Sequence, residues 1–394
     1  MARRTSKEPG TEIRAEDLKN WKMLKVFEEA LDRAFSKSTV HRTFEDPRRQ
    51  LGYAPYLSLF LFGLFNPIVE SMRGLCSIST LPRVQKEISG GKVSLGSFSE
   101  TQAVIEPTLL EEVFKDIAQQ IQTKGQGDPR LEQLNLVLQD GSLWPALPRM
   151  AWAEYGVGPK GQAKGVRLHL RFHLVKDQPL GAKITRGKDC ERQALLEMCQ
   201  PGQTNVGDRY YGGDYHYWSD IDQAGGFFVF RVRDHAILHV QEELPISPAD
   251  RDVGVVRHCW AQLGANKRSM RVRVVEVRTA DKHLLLVTNL ALEKASAELI
   301  SLIYRKRWAI ELFFRWIKCI LGCRHFLAES PRGVAIQMYL ALIASLLFQF
   351  YTGCRPNKRI MELIRFYQMG WATEEDLIPS LQAQVARANK KKPH

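Results

Sequence analysis

The residues with the clearest chemical potential lie in and just before residues 308–321, where polar side chains recur at helical spacing in an apolar stretch. The recurring positions are Tyr304, Arg307, Glu311, Arg315 and Lys318. On a helix that advances 100° per residue, they fall within an arc of roughly 80°. Such a stripe faces either solvent, with Glu311 and Arg315 as an i,i+4 ion pair, or a cleft that binds a charged ligand. This segment alone leaves both interpretations open.

Two aspartates follow segments that have the character of strands. Asp140 follows the apolar run LNLVLQ, and Asp208 follows a short strand ending near Val206. Carboxylates at the C-terminal ends of strands lie where open α/β sheets build their sites. Each aspartate also has a structural interpretation, because Asp140-Gly141 is typical of a turn and Asp208 could cap a helix. Taken singly, the structural interpretation is favoured for both, and Asp214 is expected to cap the following helix.

The elements around these residues predict an α/β core. Alternating and apolar runs predict strands over residues 134–139, 166–175 and 180–185, and a long helix over 294–321. We divide the chain into a helical N-terminal domain (1–130), the first part of an α/β core (131–234), an all-β insertion (235–293), the closing helices of the core (294–352), and a C-terminal helical region with a basic tail (353–394).

Composition restricts the class of protein. The chain has 394 residues, a formal net charge of +13 and a pI near 9.4, which indicates a polyanionic partner, either nucleic acid or an acidic membrane surface. Seven scattered cysteines argue against a disulfide framework. The start MARRTSKEPG has no apolar core, so we expect no secretory signal. The apolar stretches 55–69 and 335–351 are expected to be buried helices, which favours a cytoplasmic protein with no membrane partner.

The spacing Tyr304-x2-Arg307-x3-Glu311-x6-Lys318 resembles the Y-R-E-K signature of the "IS four"-type insertion-sequence transposases, which belong to the DDE class. The resemblance covers residues 135–351. It implies a ribonuclease-H-like core in which Asp140, Asp208 and Glu311 form a catalytic triad. Such a triad would hold two Mg²⁺ ions, with Mn²⁺ able to substitute, and would cut phosphodiesters by in-line displacement.

The resemblance also implies residues that contact DNA. Tyr304, Arg307 and Lys318 would hold phosphates beside the scissile bond, with Arg315 as a further candidate. In some relatives a Trp of the insertion stacks on a flipped base, and the equivalent position here is His283. Imidazole is a poorer stacking surface than indole, which argues against a hairpin route of excision. Trp260 is the alternative candidate for stacking on the base.

Together these features predict a cut-and-paste DNA transposase of a bacterial cytoplasm, associated with the nucleoid during action. It would bind the terminal inverted repeats and the target as double-stranded DNA, and act as a homodimer. The N-terminal region, with Arg42, Arg48 and Arg49, is expected to read the repeats. The alternative is a catalytically inactive or domesticated sequence-specific DNA-binding protein. A basic protein on an anionic membrane lacks an amphipathic basic anchor in this sequence.

Overall fold

The computed structural model describes residues 13–36, 51–66, 68–121, 128–158, 161–279 and 282–390, which form a mixed α/β fold around one ten-stranded sheet. Arg42, Arg48 and Arg49, which the sequence predicted as readers of the terminal repeats, lie outside these ranges.

The strands follow each other along the chain from residue 136 to residue 288. They are β1 Leu136–Pro145, β2 Glu154–Gly158, β3 Gly161–His173, β4 Gln178–Arg186, β5 Thr204–Gly207, β6 Phe227–Val232, β7 Leu238–Glu243, β8 Val255–Leu263, β9 Val272–Thr279 and β10 Lys282–Thr288.

Five of these strands form the core of the sheet in the order β4-β3-β1-β5-β6. β3 runs antiparallel to both of its neighbours, β1 and β4, whereas β1, β5 and β6 run parallel to one another. All four residues of β5 are buried. Burial of every residue is expected for the inner strand of a parallel group, because helices cover both faces.

Residues 235–293 extend this sheet. β10 pairs antiparallel with β6, and β9, β8 and β7 follow in antiparallel order. The prediction that this segment is all-β is wrong in one place, because Pro248–Asp252 is a short helix. Ser247 and Asp250 form a reciprocal capping box at its start, and Pro248 occupies the first turn, where a missing N–H costs nothing.

The helices enclose the sheet. They are α1 Asn20–Ser36, α2 Tyr53–Phe65, α3 Met72–Ile78, α4 Pro82–Val84, α5 Leu95–Val104, α6 Pro107–Gln120, α7 Pro129–Glu132, α8 Glu191–Leu196, α9 Arg209–Gly212, α10 Tyr215–Gln223, α11 Pro248–Asp252, α12 Ala297–Arg305, α13 Trp308–Arg315, α14 Pro331–Thr352, α15 Lys358–Gln368 and α16 Glu374–Lys390. A 3-10 turn at Ala15–Leu18 and π turns at Gln85–Ser89 and Trp316–Ile320 complete the set.

Helix α14 lies at the centre of the helical layer. By length and composition it could span a membrane, but 94% of its most apolar window is buried inside the protein. The N-terminal helices α1, α2 and α6 pack against it, and Phe65 meets Phe348 with ring centroids 5.3 Å apart. The apolar side chains of these N-terminal helices therefore share one core with the helices that follow the sheet.

The predicted continuous helix over residues 294–321 is wrong. α12 ends at Arg305 and α13 begins at Trp308, because backbone hydrogen bonds shorten to three-residue spacing where Arg307 N donates to Tyr304 O at 3.0 Å. Beyond Arg315 the turn widens to five-residue spacing, and Leu321 N donates to Trp316 O at 2.9 Å. The single polar stripe assumed from a uniform 100° step is therefore divided among three local geometries.

Candidate active site

Asp140 lies within β1, not at its end as the sequence suggested. The strand continues to Pro145 because β3 is long enough to pair with its second half, and Asp140 itself stands opposite Leu170. The Asp140-Gly141 turn expected as the structural alternative does not form. The carboxylate is thus attached to a rigid strand near the centre of the sheet.

The surroundings of Asp140 carry an excess of negative charge. Burial, followed by the charge of Glu191 and more weakly that of Asp208, raises the pKa of Asp140 to about 7. A hydrogen bond from Gly141 N to Asp140 Oδ1, 2.8 Å long, and the positive charge of Arg307 act in the opposite direction. A carboxyl group with this balance of neighbours favours uptake of a cation.

Asp208 directly follows the neighbouring parallel strand, β5, which ends at Gly207. Leu138 of β1 pairs with Val206 of β5, and Asp140 and Asp208 each lie two residues beyond that pair. The charge of Asp208 acts on the Asp140 carboxyl group, which places the two aspartates in one neighbourhood. Asp208 also caps helix α9, because its Oδ1 accepts from Tyr210 N at 2.8 Å. The structural role expected for Asp208 is therefore present, and it uses one of the two carboxylate oxygens.

Glu311 lies in the first turn of α13, which packs on β1 through Phe314 and on β3 through Phe313. Its Oε1 accepts from Arg307 Nη2 at 2.5 Å, so the ion pair predicted with Arg315 is replaced by one with Arg307. The negative charges of both Glu311 and Asp140 act on the Arg307 guanidinium. Arg307 thereby links the helix-borne carboxylate electrostatically to the strand-borne one.

The three predicted carboxylates are connected through these charges but are not gathered into a preformed cage. Within the described ranges, no three side chains of the types His, Cys, Asp and Glu converge closely enough to hold a metal ion. Glu311 is held by Arg307, and Asp208 is held at the start of its helix. Membership of all three in one metal site therefore stays a prediction.

Tyr304 stands between two arginines. Burial raises the pKa of its hydroxyl, while Arg307 and Arg231 lower it and Asp208 raises it further. Sequence reasoning missed Arg231, which lies on β6 and donates to Asp234 Oδ1 at 3.1 Å and to His283 O at 3.2 Å. Arg231 thus connects the surroundings of Tyr304 to the extended half of the sheet.

Lys318 is anchored to β1. Its Nζ donates to Ser142 Oγ and to Leu143 O, both at 2.8 Å, and lies 4.0 Å from the centroid of the Trp144 ring. Burial lowers the pKa of this ammonium group. Arg315, on the same helical segment, is exposed. The two cations therefore differ: one is bound within the protein, and the other reaches into solvent.

The two candidates for stacking on a base already have protein partners. His283 is half-buried, and its Nε2 lies 2.9 Å from Glu276 Oε1. Trp260 lies under the guanidinium of Arg271, 4.8 Å from the ring centroid. Either side chain would have to exchange a protein contact for a base.

The sequence interpretation also missed Glu191, a carboxylate only 6% exposed that starts helix α8. Its Oε2 accepts from Arg167 Nη1 at 2.5 Å, and its Oε1 accepts from the hydroxyl of Tyr211. In the sequence, Glu191 looks like any acidic residue in the first turn of a helix. The signal that could have indicated it is Gly141, a glycine in mid-strand, which marks close approach of another group.

Comparison with known proteins yields a consistent set of similarities. A family model described as "Transposase DDE domain" matches residues 132–347. The chain is 30% identical over 263 residues to a protein of Sinorhizobium fredii whose name describes it as a transposase, y4zB, covering 65% of this chain and 70% of that protein. It is 31% identical over 206 residues to a protein of Geobacillus stearothermophilus named as a transposase for insertion sequence element IS5377, covering 51% of this chain and 52% of the relative.

Among solved structures, the piggyBac transposase in its synaptic complex with hairpin DNA aligns over 97% of this chain and 88% of its own. The sequence identity is 9% and the TM-score is 0.44, which is too low to argue a shared fold.

Proposed function

This chain belongs to the family of transposase DDE domains, and we propose that it cuts and rejoins DNA at the ends of a mobile element with the aid of divalent metal ions. Family membership confirms the resemblance that the Tyr304, Arg307, Glu311 and Lys318 spacing predicted. The single observation that carries the proposed chemistry is that Asp140 and Asp208 each lie two residues beyond the same paired position of two adjacent parallel strands, Asp140 within β1 and Asp208 just after β5.

The topology supports a ribonuclease-H-like core. Numbered along the chain, the five core strands stand in the order 3-2-1-4-5, and only the second runs antiparallel to the other central strands. A three-stranded antiparallel meander followed by two parallel strands is the arrangement that defines such a core. In it, the first and fourth strands are neighbours; here Asp140 lies on the first and Asp208 directly follows the fourth.

The donor groups suit a hard cation. Asp140, Asp208 and Glu311 offer only oxygen ligands, which Mg²⁺ prefers and Mn²⁺ accepts. The charges of Glu191 and Asp208 act on the Asp140 carboxyl group against that of Arg307, and acidic neighbours of this kind favour a bound cation. Two divalent ions would supply activation of the attacking oxygen and stabilisation of the leaving oxygen in an in-line displacement. For Glu311 to join the other two carboxylates, Arg307 would turn from the carboxylate to a DNA phosphate.

The cationic side chains suit the phosphate backbone. Arg307 can grip a phosphate in bidentate fashion, Tyr304 can donate a hydroxyl hydrogen bond, and Arg315 is exposed and can reach a DNA strand from the surface. Lys318 would act from its place beside Ser142 as a fixed positive charge. Because the chain has a formal net charge of +13, its affinity for DNA should come largely from neutralisation of phosphates and should fall as the salt concentration rises.

The wider assembly follows from the same proposal. Residues 1–130 would bind the terminal repeats, residues 235–293 would contact DNA beside the core with His283 near the flanking strand, and two copies would pair the two ends. Such a protein would act on bacterial DNA at the nucleoid.

The test is cleavage of a plasmid that carries the element with its own flanking DNA, in Mg²⁺, with the cut ends mapped. Asp140→Asn, Asp208→Asn and Glu311→Gln each remove one charge and keep the side-chain shape, and the asparagine at 208 can still cap its helix. We expect each to abolish cleavage while end binding in a mobility-shift assay stays near the wild-type level. Asp220→Asn, an exposed aspartate on α10, serves as the control.

Cleavage that survives in one of the three variants removes that carboxylate from the site. A wild-type protein that binds the ends but cuts in neither Mg²⁺ nor Mn²⁺ supports the alternative, an inactive DNA-binding protein.

A further inference from the structure

Glu191 forms a buried clamp with two other residues, Arg167 and Tyr211. Its two carboxylate oxygens accept from different partners, Oε2 from the Arg167 guanidinium at 2.5 Å and Oε1 from the Tyr211 hydroxyl. Glu191 is 6% exposed and Tyr211 is fully buried. Charge-assisted hydrogen bonds in a dry environment fix geometry strongly, because water cannot replace a lost partner.

The clamp touches the strand that bears Asp140. A Cβ added to Gly141 would lie 2.5 Å from Glu191 Oε2, so the carboxylate rests directly against the backbone of the residue after Asp140. Arg167 lies on β3 opposite Leu143 of β1. The clamp therefore contacts β1 at Gly141, next to Asp140, and includes Arg167 of the neighbouring strand β3.

The clamp also touches the segment that bears Asp208. Tyr211 belongs to helix α9, which Asp208 caps, and its ring packs on the residue before Asp208, because a Cβ at Gly207 would lie 2.5 Å from that ring. A Cβ at Gly212 would lie 1.9 Å from Arg231 O, so the helix is also pressed against β6. The hydrogen bond from Tyr211 to Glu191 thus ties the helix that Asp208 caps to a carboxylate that rests against the strand of Asp140.

Glu191 adds charge as well as position. Arg167 pairs with its carboxylate, and Tyr211 connects that carboxylate to the helix that Asp208 caps. A buried ion pair alone is weak support for stability, because apolar residues of the same volume often serve as well. This pair also presses on the residue that follows Asp140, so it bears on where both aspartates stand.

We propose that Glu191 is a positioning residue of the transposase site, which fixes Asp140 and Asp208 relative to each other through Gly141 and Tyr211 and strengthens the binding of the divalent ions. This inference rests on the function proposed above. Glu191 is not itself required to touch a metal ion or DNA, since both of its oxygens are held by protein donors.

The test compares Glu191→Gln with Glu197→Gln, the same change at a solvent-exposed glutamate paired with Lys183 just beyond the same helix. The glutamine keeps the shape of the clamp, with its carbonyl toward Arg167 and its amide toward Tyr211. Mn²⁺ binding by the protein is measured by electron paramagnetic resonance of the free ion at pH 8.5. Plasmid cleavage is titrated with Mg²⁺, and thermal unfolding and end binding are recorded in parallel.

In Glu191→Gln we expect Mn²⁺ binding at least tenfold weaker, a parallel rise in the Mg²⁺ concentration for half-maximal cleavage, unchanged end binding, and wild-type behaviour of Glu197→Gln. Wild-type Mn²⁺ affinity and Mg²⁺ requirement in a folded Glu191→Gln protein overturn the proposal. A loss of cleavage that follows only the unfolded fraction, with the Mg²⁺ requirement unchanged, overturns it as well.

If Glu191→Gln does not fold, Tyr211→Phe decides the question, because it keeps the charge at residue 191 and removes the tie to the Asp208 turn. We expect at least a threefold higher Mg²⁺ requirement in this variant, and an unchanged requirement refutes the positioning role. A wild-type protein that fails to cut refutes the proposed function instead, so the two failures are distinguishable.

Discussion

Replacement of Gly141 by alanine is the sharpest probe of how closely the site is packed. The added Cβ would lie 2.5 Å from Glu191 Oε2, 2.6 Å from Cδ and 3.0 Å from Oε1, which is inside van der Waals contact with all three atoms. The carboxylate cannot retreat freely, because Arg167 and Tyr211 hold its two oxygens. Either the strand or the clamp must shift.

The magnitude follows from the contacts. Overpacking costs roughly 1–3 kcal/mol, and a weakened charge-assisted hydrogen bond in the clamp costs about 1.5–3 kcal/mol. Alanine restricts the unfolded chain, which offsets roughly 0.4–1 kcal/mol. We expect the free energy of unfolding to fall by about 1.5–5.5 kcal/mol in total.

The assay is urea denaturation of Gly141→Ala beside Gly156→Ala. Gly156 is an exposed glycine of β2 whose added Cβ would meet no atom within 4 Å, so it measures the effect of the substitution without the clash. In a Glu191→Ala background the cost of Gly141→Ala should largely disappear, because the atoms it collides with are gone. Equal midpoints for the two glycine variants would refute the reasoning.

Three further predictions concern other parts of the structure. Burial, with help from Arg167, lowers the pKa of His169 to about 4. Between pH 6.5 and 4 the unfolded chain therefore binds more protons at this residue than the folded chain does. The contribution of His169 to the free energy of unfolding should be complete above about pH 6.5 and should fall toward pH 4 by at most about 3 kcal/mol. Arg273→Met should lower the free energy of unfolding in urea by about 3 kcal/mol or more, because buried carbonyls at residues 290, 291 and 295 lose their donor. Arg315→Ala should weaken DNA binding and reduce the log-salt slope by about one.

Each of these has its own control. A His169→Asn protein should lose part of the decline between pH 6.5 and 4, and the remainder is expected from His173, whose pKa burial also lowers to about 4. An undiminished decline in His169→Asn would contradict the contribution of His169. Arg271→Met, at an exposed position just before the strand that carries Arg273, should change stability little. Arg315→Ala should leave the urea midpoint unchanged, and a salt slope equal to that of the wild type would mean that Arg315 contacts no phosphate.

The sequence predicted the parts of the fold that have strong local patterns. The strands around residues 136, 166 and 180 were predicted because apolar side chains alternate or cluster there. The cap of α10 was predicted because Asp214 precedes a helical pattern; its side chain accepts from His216 N and Tyr217 N. The family was identified from four residue types at fixed spacing. These features depend on neighbours along the chain.

The rest depends on contacts that are distant in sequence. β1 continues past Asp140 because β3 pairs with it there, and nothing within residues 140–145 requires that. The break before Trp308 has no glycine or proline to indicate it. Glu191 acquires its role from Arg167, Tyr211 and Gly141, whose approach only the folded sheet brings about.

The antiparallel half of the sheet has a consequence for biosynthesis. β10 covers the free edge of β6, and Glu311 follows it in the chain. A ribosome that stops before residue 282 would release a product that lacks β10 and Glu311 and has an open strand edge able to pair with other chains. Under the proposed function such a product would lack one of the three carboxylates and could not cut DNA, and its open edge should make it prone to aggregation and proteolysis.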